Sequence, residues 1–440
     1  MFKPALISTI LLSSMLVGCG ADDDDDDDAG TSYLRVLHAS PDAPNVDVLI
    51  DGEAVLTDVP FQAGSGYLEV EEGQREVALR VHGTDTIALT NTITFEEDGY
   101  YSAIAQNLVA SLELEVLDDT ERYNNGTTDV TVVHASPTVG NVDIYVTADG
   151  ADLPASATLS DVPFDANATL EEIASADYQV RATAAGDTTV VYDSGTLSIS
   201  SDVMTVAVNS AKGASPVTLL AWASSVTPVL DNTAEVRIVH AVDAVTVDVF
   251  AGGAELLGDF AYKDTTDGYV KVAAGDLPVA IAAANAGIDS ALSNLSGTLT
   301  LARGESYTVV AAGDVNDLNN AQLIVLTDVR KATDDTQAYV RLVHASAASA
   351  ADPVDIYVAA AGGDISAVEP NFSDVVIGQN TGYVALAPAS YDVIIAADGT
   401  KTAAVPNTSN LAFDAGDVVT ALAIGNSVGN LEPVILVDKR

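Results

Sequence analysis

The sequence predicts an all-β protein made of four tandem antiparallel β-sandwich domains of immunoglobulin-like type, which follow a leader and an acidic tether. The main evidence is an internal repeat of about a hundred residues, the size of a small domain. Short segments rich in Val and Thr alternate between apolar and polar residues, and Gly, Asp and Asn turns separate them. No segment keeps the period of about 3.6 residues that is typical of an amphipathic helix.

Each repeat opens with a strand that ends in histidine. The opening segments share the order apolar residue, His and Ala, and are residues 34–40, 130–136, 236–241 and 340–346, with His38, His134, His240 and His344. A second strand then carries a Val-Asp pair, which supplies Asp47, Asp143, Asp248 and Asp355. We expect β-sandwiches at residues 31–122, 129–230, 234–331 and 336–440. Polar joints between them predict separate domains on a semi-flexible string.

The N-terminus is typical of a secreted lipoprotein. A lysine at position 3 precedes an apolar run that is too short for a transmembrane helix, so residues 1–18 are expected to be a signal peptide. The run ends at Cys19, the sole cysteine of the chain, in a segment that resembles the lipoprotein cleavage motif. We therefore expect Cys19 to be lipidated and to anchor the chain in the cell envelope. Gly20, rather than Asp, favours the outer membrane.

Negative charge dominates the composition and narrows the range of partners. The formal net charge is −47. A chain this negative would repel phosphate backbones, so we expect no binding to nucleic acids. Seven aspartates at residues 22–28 predict an extended tether within residues 19–30, with a calcium-binding tract as the alternative. A single cysteine rules out an intramolecular disulfide and a multi-cysteine metal site.

The repeated histidines and aspartates have a catalytic and a structural interpretation. His38, Ser40 and Asp47 have the chemistry of a hydrolase triad, but the third unit has Val242 in place of the serine. Strand alternation also places His38 towards the core and Asp47 on the opposite face. We therefore interpret both residues as structural, the histidine bonded to loop backbone and the aspartate accepting backbone N–H groups.

Calcium and sugars remain as alternative ligands. Asp42, Asp47 and Asp51 lie close together in the sequence and have the oxygen chemistry of a weak calcium site. Trp222 and the tyrosines after glycine at the fourth strand are sugar-stacking candidates, although we favour a packing role; the tyrosines are Tyr67, Tyr269 and Tyr383. No catalytic residue, cofactor or metal is expected.

The segment His-Ala-Ser-Pro-Asp-Ala-Pro-Asn-Val-Asp-Val at residues 38–48 resembles the domain of unknown function DUF4397. The resemblance extends in tandem copies over most of the chain after residue 30, and it implies a secreted or lipid-anchored modular protein without a known reaction. The leading hypothesis is a non-enzymatic envelope protein that acts as a spacer or as an adhesion or ligand-binding array, with an unknown envelope protein or glycan as partner. A calcium-dependent surface array is the alternative, and a carbohydrate-active or other hydrolytic enzyme is the third hypothesis.

Overall fold

The structure is a computed structural model that describes residues 30–124, 127–243, 245–314, 316–347, 353–401, 408–425 and 432–439. Cys19 and the aspartates of residues 22–28 lie outside the described residues. Strands make up most of the described chain, and the predicted all-β class with tandem sandwiches is confirmed. Within the described ranges, no helix is both long and apolar enough to cross a membrane.

The first two units contain the strands that follow. Unit 1 has β1 (Thr31–His38), β2 (Val46–Ile50), β3 (Glu53–Val59), β4 (Leu68–Glu71), β5 (Gly73–Val81), β6 (Ile87–Phe95), β7 (Tyr100–Gln106) and β8 (Glu113–Asp118). Unit 2 has β9 (Val130–His134), β10 (Val142–Ala148), β11 (Leu159–Val162), β12 (Asn167–Leu170), β13 (Ala176–Ala184), β14 (Val190–Ile199), β15 (Val203–Asn209), β16 (Val217–Trp222) and β17 (Val226–Val229). A short helix, α1 (Thr120–Asn124), joins the two units.

The last two units repeat the same succession of strands. Unit 3 has β18 (Thr233–Val242), β19 (Val247–Ala251), β20 (Ala254–Phe260), β21 (Val270–Ala273), β22 (Gly275–Ala283), β23 (Gly297–Leu301), β24 (Ser306–Asp314) and β25 (Asp317–Asp328). Unit 4 has β26 (Ala338–His344), β27 (Val354–Ala360), β28 (Phe372–Val375), β29 (Asn380–Leu386), β30 (Ala389–Ala397), β31 (Thr408–Phe413), β32 (Val418–Ile424) and β33 (Glu432–Val437). Three short 3-10 helices lie at Val109–Ser111, Ile288–Ser290 and Ser293–Leu295.

Every unit is built from two sheets with the same strand order. Counting strands within a unit, sheet I has the order 4-1-7-8 and sheet II has the order 3-2-5-6, and β17 adds a fifth strand to sheet I of unit 2. The first and seventh strands of each unit pair in parallel, and the remaining pairs are antiparallel. An immunoglobulin constant domain instead has strands ABED and CFG. The sandwich is therefore confirmed, whereas an immunoglobulin strand order is not.

Each unit has its own apolar core between sheets I and II. In unit 1 this core contains Val36, Val48 and Leu79, and equivalent clusters fill the other three units. Alternating residues of the first and second strands supply these side chains, as the period-two pattern predicts. The chain therefore has four separate sandwich cores rather than one merged core.

Two further apolar clusters lie between units and join them in pairs. Leu37 and Ile104 of unit 1 pack with Leu220 of unit 2, and Val310 of unit 3 packs with Leu422 of unit 4. These contacts come from the faces of sheet I that point away from each unit's own core. The structure thus differs from the expected string of separate domains, because both faces of sheet I are apolar and both are buried.

The junction between units 2 and 3 is polar. The Arg303 guanidinium donates hydrogen bonds to the carbonyls of Ser194 and Leu230, the latter at 3.0 Å. The N–H of Ala214 donates to the carbonyl of Gly304 at 3.2 Å, and Lys212 forms an ion pair with Glu305. The two pairs of units are therefore connected by defined contacts. Among the described residues, no apolar cluster of the kind that joins the members of each pair lies at this junction.

Candidate functional site

The repeated histidines close the loop that follows the first strand. His38 Nε2 lies 3.2 Å from the carbonyl of Pro44, and its Nδ1 accepts the N–H of Ser40 at 3.3 Å. His134 and His240 repeat this arrangement. Their Nε2 atoms lie 3.2 and 3.0 Å from loop carbonyls, and their Nδ1 atoms accept the N–H of the second residue after the histidine at 3.3 and 3.4 Å. The donor to Nδ1 is a backbone N–H, so the third unit keeps the bond although Val242 replaces serine. His344 is buried at the same strand end.

Burial also affects the protonation of these rings. Desolvation lowers the pKa of His38, His134 and His240, and it outweighs the opposing hydrogen bond from each ring to its loop carbonyl. Acceptance of an N–H by Nδ1 requires an unprotonated nitrogen at that position. The three imidazoles are therefore held neutral, with the proton on Nε2 and both nitrogens engaged by backbone.

The histidine pKa values predict a pH dependence of stability. Because the folded pKa lies below the unfolded value of about 6.5, the unfolded chain binds more protons, and the free energy of unfolding should fall as pH drops below about 6.5. Acidification also relieves the self-repulsion of a strongly acidic chain, so the histidine contribution must be obtained as a difference. We expect denaturant titrations between pH 7.5 and 5 to give a smaller acid loss for His134→Gln than for the wild type. Equal losses would contradict the expectation.

The repeated aspartates hold an irregular residue of the third strand. Asp143 accepts the N–H of Asp161 at 2.8 Å and that of Gly186 at 2.9 Å. Asp248 and Asp355 likewise accept an N–H from the third strand and one from the turn after the fifth strand. The third-strand donors all have positive φ, between 52° and 57°, and are Asp58, Asp161, Asp259 and Asp374. The carboxylates thus stabilise a left-handed residue where the strand register shifts.

Unit 1 elaborates this arrangement with two basic residues. Asp47 accepts the N–H of Asp58 at 2.9 Å, and also contacts Arg80 at 2.8 Å and Nδ1 of His82 at 2.7 Å. Burial acts to raise the pKa of Asp47, but these three partners outweigh it and lower the pKa to about 2. His82 Nε2 faces a second carboxylate, that of Asp58, at 3.8 Å. This His82–Asp47 contact could not be predicted from the repeat, because only unit 1 has a second histidine.

The structure does not assemble the predicted alternatives of a triad or a calcium site. His38 and Asp47 have separate partners, as described above. Asp42 accepts the N–H of Val109 at 2.8 Å, and Asp51 accepts the N–H of Glu76 at 2.9 Å, so the three calcium candidates of unit 1 point to different loops. In the part of the chain that the structure describes, no three His, Cys, Asp or Glu side chains are grouped to hold a metal ion.

A buried charged network joins units 3 and 4 and was not predicted. Arg237 of unit 3 pairs with Asp438 of unit 4, and Arg341 of unit 4 pairs with Asp328 of unit 3. The side chains of the two arginines are 4% and 3% exposed and those of the two aspartates 0%, although an arginine on the strand face opposite a unit's core ordinarily lies in solvent. We name this four-residue set the interface network. Its reciprocal contacts relate the two units by an approximate two-fold arrangement.

Hydroxyl groups complete the hydrogen bonding of the interface network. Tyr269 donates to Asp328 and Tyr383 donates to Asp438, each at 2.7 Å. The Arg237 guanidinium carbon lies 4.8 Å from the ring centre of Tyr269, and that of Arg341 lies 4.5 Å from the ring centre of Tyr383. These distances permit cation–π contact. The two tyrosines therefore support the arginines and are not exposed platforms for a sugar.

The pair formed by units 1 and 2 has a one-sided version of this interface. Arg35 contacts Asp119 at 3.3 Å, and its guanidinium carbon lies 4.8 Å from the ring centre of Tyr67 and 4.3 Å from that of Trp222. Thr131 takes the place of the arginine in unit 2. The Trp222 indole is fully buried and donates to the carbonyl of Ser65 at 2.8 Å. Trp222 is therefore an interface residue, which the sequence pattern alone could not distinguish from a core aromatic.

Comparison with known proteins places the repeat in one family. The family model for the domain of unknown function DUF4397 matches residues 32–145, 128–244 and 234–357. No curated protein matches the chain. Among solved structures, the Bacillus anthracis TIE protein aligns at 9% identity with a TM-score of 0.16, over 90% of this chain and 68% of that one. A Streptococcal ancillary pilin aligns at 10% identity with a TM-score of 0.15, over 66% of this chain and 95% of that one.

Proposed function

The chain belongs to the DUF4397 family, and from this premise we propose that it is a non-enzymatic, lipid-anchored protein of the cell envelope. In this proposal its paired sandwiches form a stiff spacer that holds binding surfaces away from the membrane. The observation that carries the proposal is the burial of sheet I between units, which joins units 1 and 2 and units 3 and 4 into two blocks.

Stiffness follows from what each junction buries. The apolar clusters between paired units exclude water, so separating a pair would expose apolar surface and two or more buried charges. The polar contacts between units 2 and 3 fix how the two blocks meet. A chain with such junctions suits a spacer that holds surfaces at a set distance, rather than an enzyme whose domains close over an active-site cleft.

A non-catalytic role is supported by how the repeated polar residues are used. The rings of His38, His134 and His240 bond to backbone at both nitrogens, and Asp143 and Asp248 use both carboxylate oxygens on backbone N–H groups. Side chains whose polar atoms are engaged in this way stabilise turns. We therefore propose that the repeated pattern within the chain maintains the fold and that binding takes place elsewhere.

The anchoring part of the proposal predicts a loss of membrane association in Cys19→Ala. Acylation would place fatty chains in the bilayer, each methylene contributing about 0.8 kcal/mol, and the variant has no site for them. We expect the wild-type chain to enter the detergent phase in detergent phase separation and to carry an acyl mass increment, whereas Cys19→Ala remains aqueous. Ser14→Ala, in the leader, is the control and should behave as wild type. Detergent-phase partition of Cys19→Ala would disprove the anchor.

A further inference from the structure

We propose that units 2 and 4 each carry an open groove that binds a neutral polysaccharide, so that the chain holds one polymer at two points. The inference rests on the proposed function, because it supplies the ligand class for a non-catalytic envelope array. The grooves lie on the side of each sandwich where the third and fourth strands form the edges of sheets II and I.

The grooves exist because even-numbered units differ from odd-numbered ones. In units 1 and 3 the second and third strands are joined by two-residue turns, and the third strand is seven residues long. In units 2 and 4 the connections are longer, residues 149–158 and 361–371, and the third strand has only four residues. A shorter edge strand leaves the space between the two sheets uncovered at that side. Units 2 and 4 thus share a feature that units 1 and 3 lack.

The groove of unit 2 is broad and mixed in polarity. It is a shallow, open depression of about 630 Å³, with Val146, Leu170 and Ile173 as its apolar lining. Tyr178, Thr158, Thr169 and Glu171 complete the lining, and the Thr169 hydroxyl lies 3.1 Å from that of Thr131 on the neighbouring strand. Hydroxyl and carboxylate groups beside an apolar lining match the hydroxyl-rich edges and the C–H faces of a sugar ring.

Unit 4 repeats the arrangement at equivalent positions. Its groove measures about 190 Å³ and reaches the apolar core of the unit, because it is lined by the buried residues Val340, Leu342, Val393 and Phe413 as well as by Val358, Asn371, Val384 and Tyr391. Asn371 accepts the N–H of Val358 at 2.7 Å, as Thr158 provides the acceptor for Val146 at 2.9 Å. Val384 and Leu170 occupy the same register opposite the first strand. The recurrence of one set of contacts in two units argues against an accidental surface depression.

The tyrosines distinguish units 2 and 4 from unit 3, where the equivalent space is only about 30 Å³ and is lined by Ala251, Val272 and Leu277. Tyr178 and Tyr391 are the third residues of the fifth strand, where units 1 and 3 have Arg75 and Leu277. Each tyrosine hydroxyl donates to a carbonyl four residues earlier, at 2.8 and 2.9 Å. The hydroxyl is thereby fixed. Each half-buried ring packs against the apolar core of its unit, and its remaining surface lines the groove, where a ligand would meet it.

Charge and repetition select the ligand class. A net charge of −47 disfavours anionic polymers such as polyuronates or nucleic acids. Two equivalent grooves on a chain with fixed junctions suit a ligand that itself repeats, and binding at both sites would raise the overall affinity by avidity. A polysaccharide of neutral sugars meets both conditions, whereas a single peptide segment would occupy only one groove at a time.

Affinity gel electrophoresis of the full chain in gels that contain glucans, mannans or galactans tests the inference. We expect at least one neutral polysaccharide to retard the wild-type chain. Tyr178→Ala or Tyr391→Ala alone should weaken the apparent affinity by about a hundredfold through loss of avidity, and the double variant should migrate without retardation. Arg75→Ala changes the same strand position in unit 1, outside the two proposed grooves, and it should bind as wild type.

A second variant of the groove in unit 2 controls for misfolding of the tyrosine variants. Glu171→Trp places a large side chain in the groove of unit 2 from an exposed position, so it should weaken binding like Tyr178→Ala while the melting temperature stays within a few degrees of wild type. The inference is wrong if no neutral polysaccharide in the panel retards the chain, if the double variant binds as wild type, or if only peptides bind at the grooves. These outcomes leave membrane anchoring through Cys19 unaffected, so the two proposals fail separately.

Discussion

Asp328→Ala should lower the free energy of unfolding of the block formed by units 3 and 4 by about 3–5 kcal/mol. The Asp328 side chain is fully buried and accepts hydrogen bonds from Arg341, from Tyr269 at 2.7 Å and from Thr308 at 2.6 Å. Its removal leaves the Arg341 guanidinium buried without a carboxylate at the interface, which costs more than the lost hydrogen bonds. Differential scanning calorimetry or denaturant titration measures the effect.

The same change at an exposed carboxylate provides the control. Glu369 lies in unit 4 and is exposed, so Glu369→Ala should change the free energy of unfolding by less than about 0.5 kcal/mol. A cost below about 1 kcal/mol for Asp328→Ala would mean that the interface network is solvated in solution. The paired arrangement of units 3 and 4 would then be wrong.

The sandwich architecture could be predicted because it depends on local signals that repeat. The segment around His38 recurs in every unit, and alternation along β1 and β2 assigns Val36 and Val48 to a core face. Turns such as Asp51-Gly52, with positive φ at both residues, mark where strands reverse. These features are encoded within a few residues, and four copies of them reinforce one another.

The strand order could not be predicted, because it depends on pairing between distant strands. The parallel pairing of β1 with β7 joins segments separated by most of a unit, and alternation is compatible with several ways of arranging the same strands in two sheets. The sequence therefore predicts two packed sheets but does not distinguish the observed order from that of an immunoglobulin domain.

The sequence did not predict the pairing of units. Alternation of apolar and polar residues along a strand identifies the two faces of a sheet, but it does not show what covers the face opposite the core. Arg237 and Arg341 occupy the face opposite the core, and an arginine on such a face ordinarily indicates solvent. Their partners Asp438 and Asp328 lie in another unit, so no local pattern connects them. The available signal was that Leu37 and its equivalents make that same face apolar next to the charge.

Trp222→Ala should destabilise the block formed by units 1 and 2 by about 3–5 kcal/mol and leave the other block unchanged. The indole is fully buried in the apolar cluster between the two units, and truncation would leave a cavity beside Arg35, whose guanidinium carbon lies 4.3 Å from the indole ring centre. The Trp222 Nε1–H bond to the Ser65 carbonyl would also be lost. Calorimetry should show one transition moved to lower temperature and the other in place.

Asp328→Ala provides the reciprocal experiment, because the chain contains a single tryptophan. Fluorescence of Trp222 reports the unfolding of units 1 and 2 alone, so Asp328→Ala should leave the fluorescence transition where it is while the circular dichroism signal shows earlier unfolding of units 3 and 4. Trp222→Phe retains most of the buried ring and should cost less than Trp222→Ala. A polar junction without an apolar cluster implies that the two blocks unfold separately. If either variant moves both transitions together, that expectation is wrong, and the junction of Arg303 with Leu230 couples the blocks into one cooperative unit.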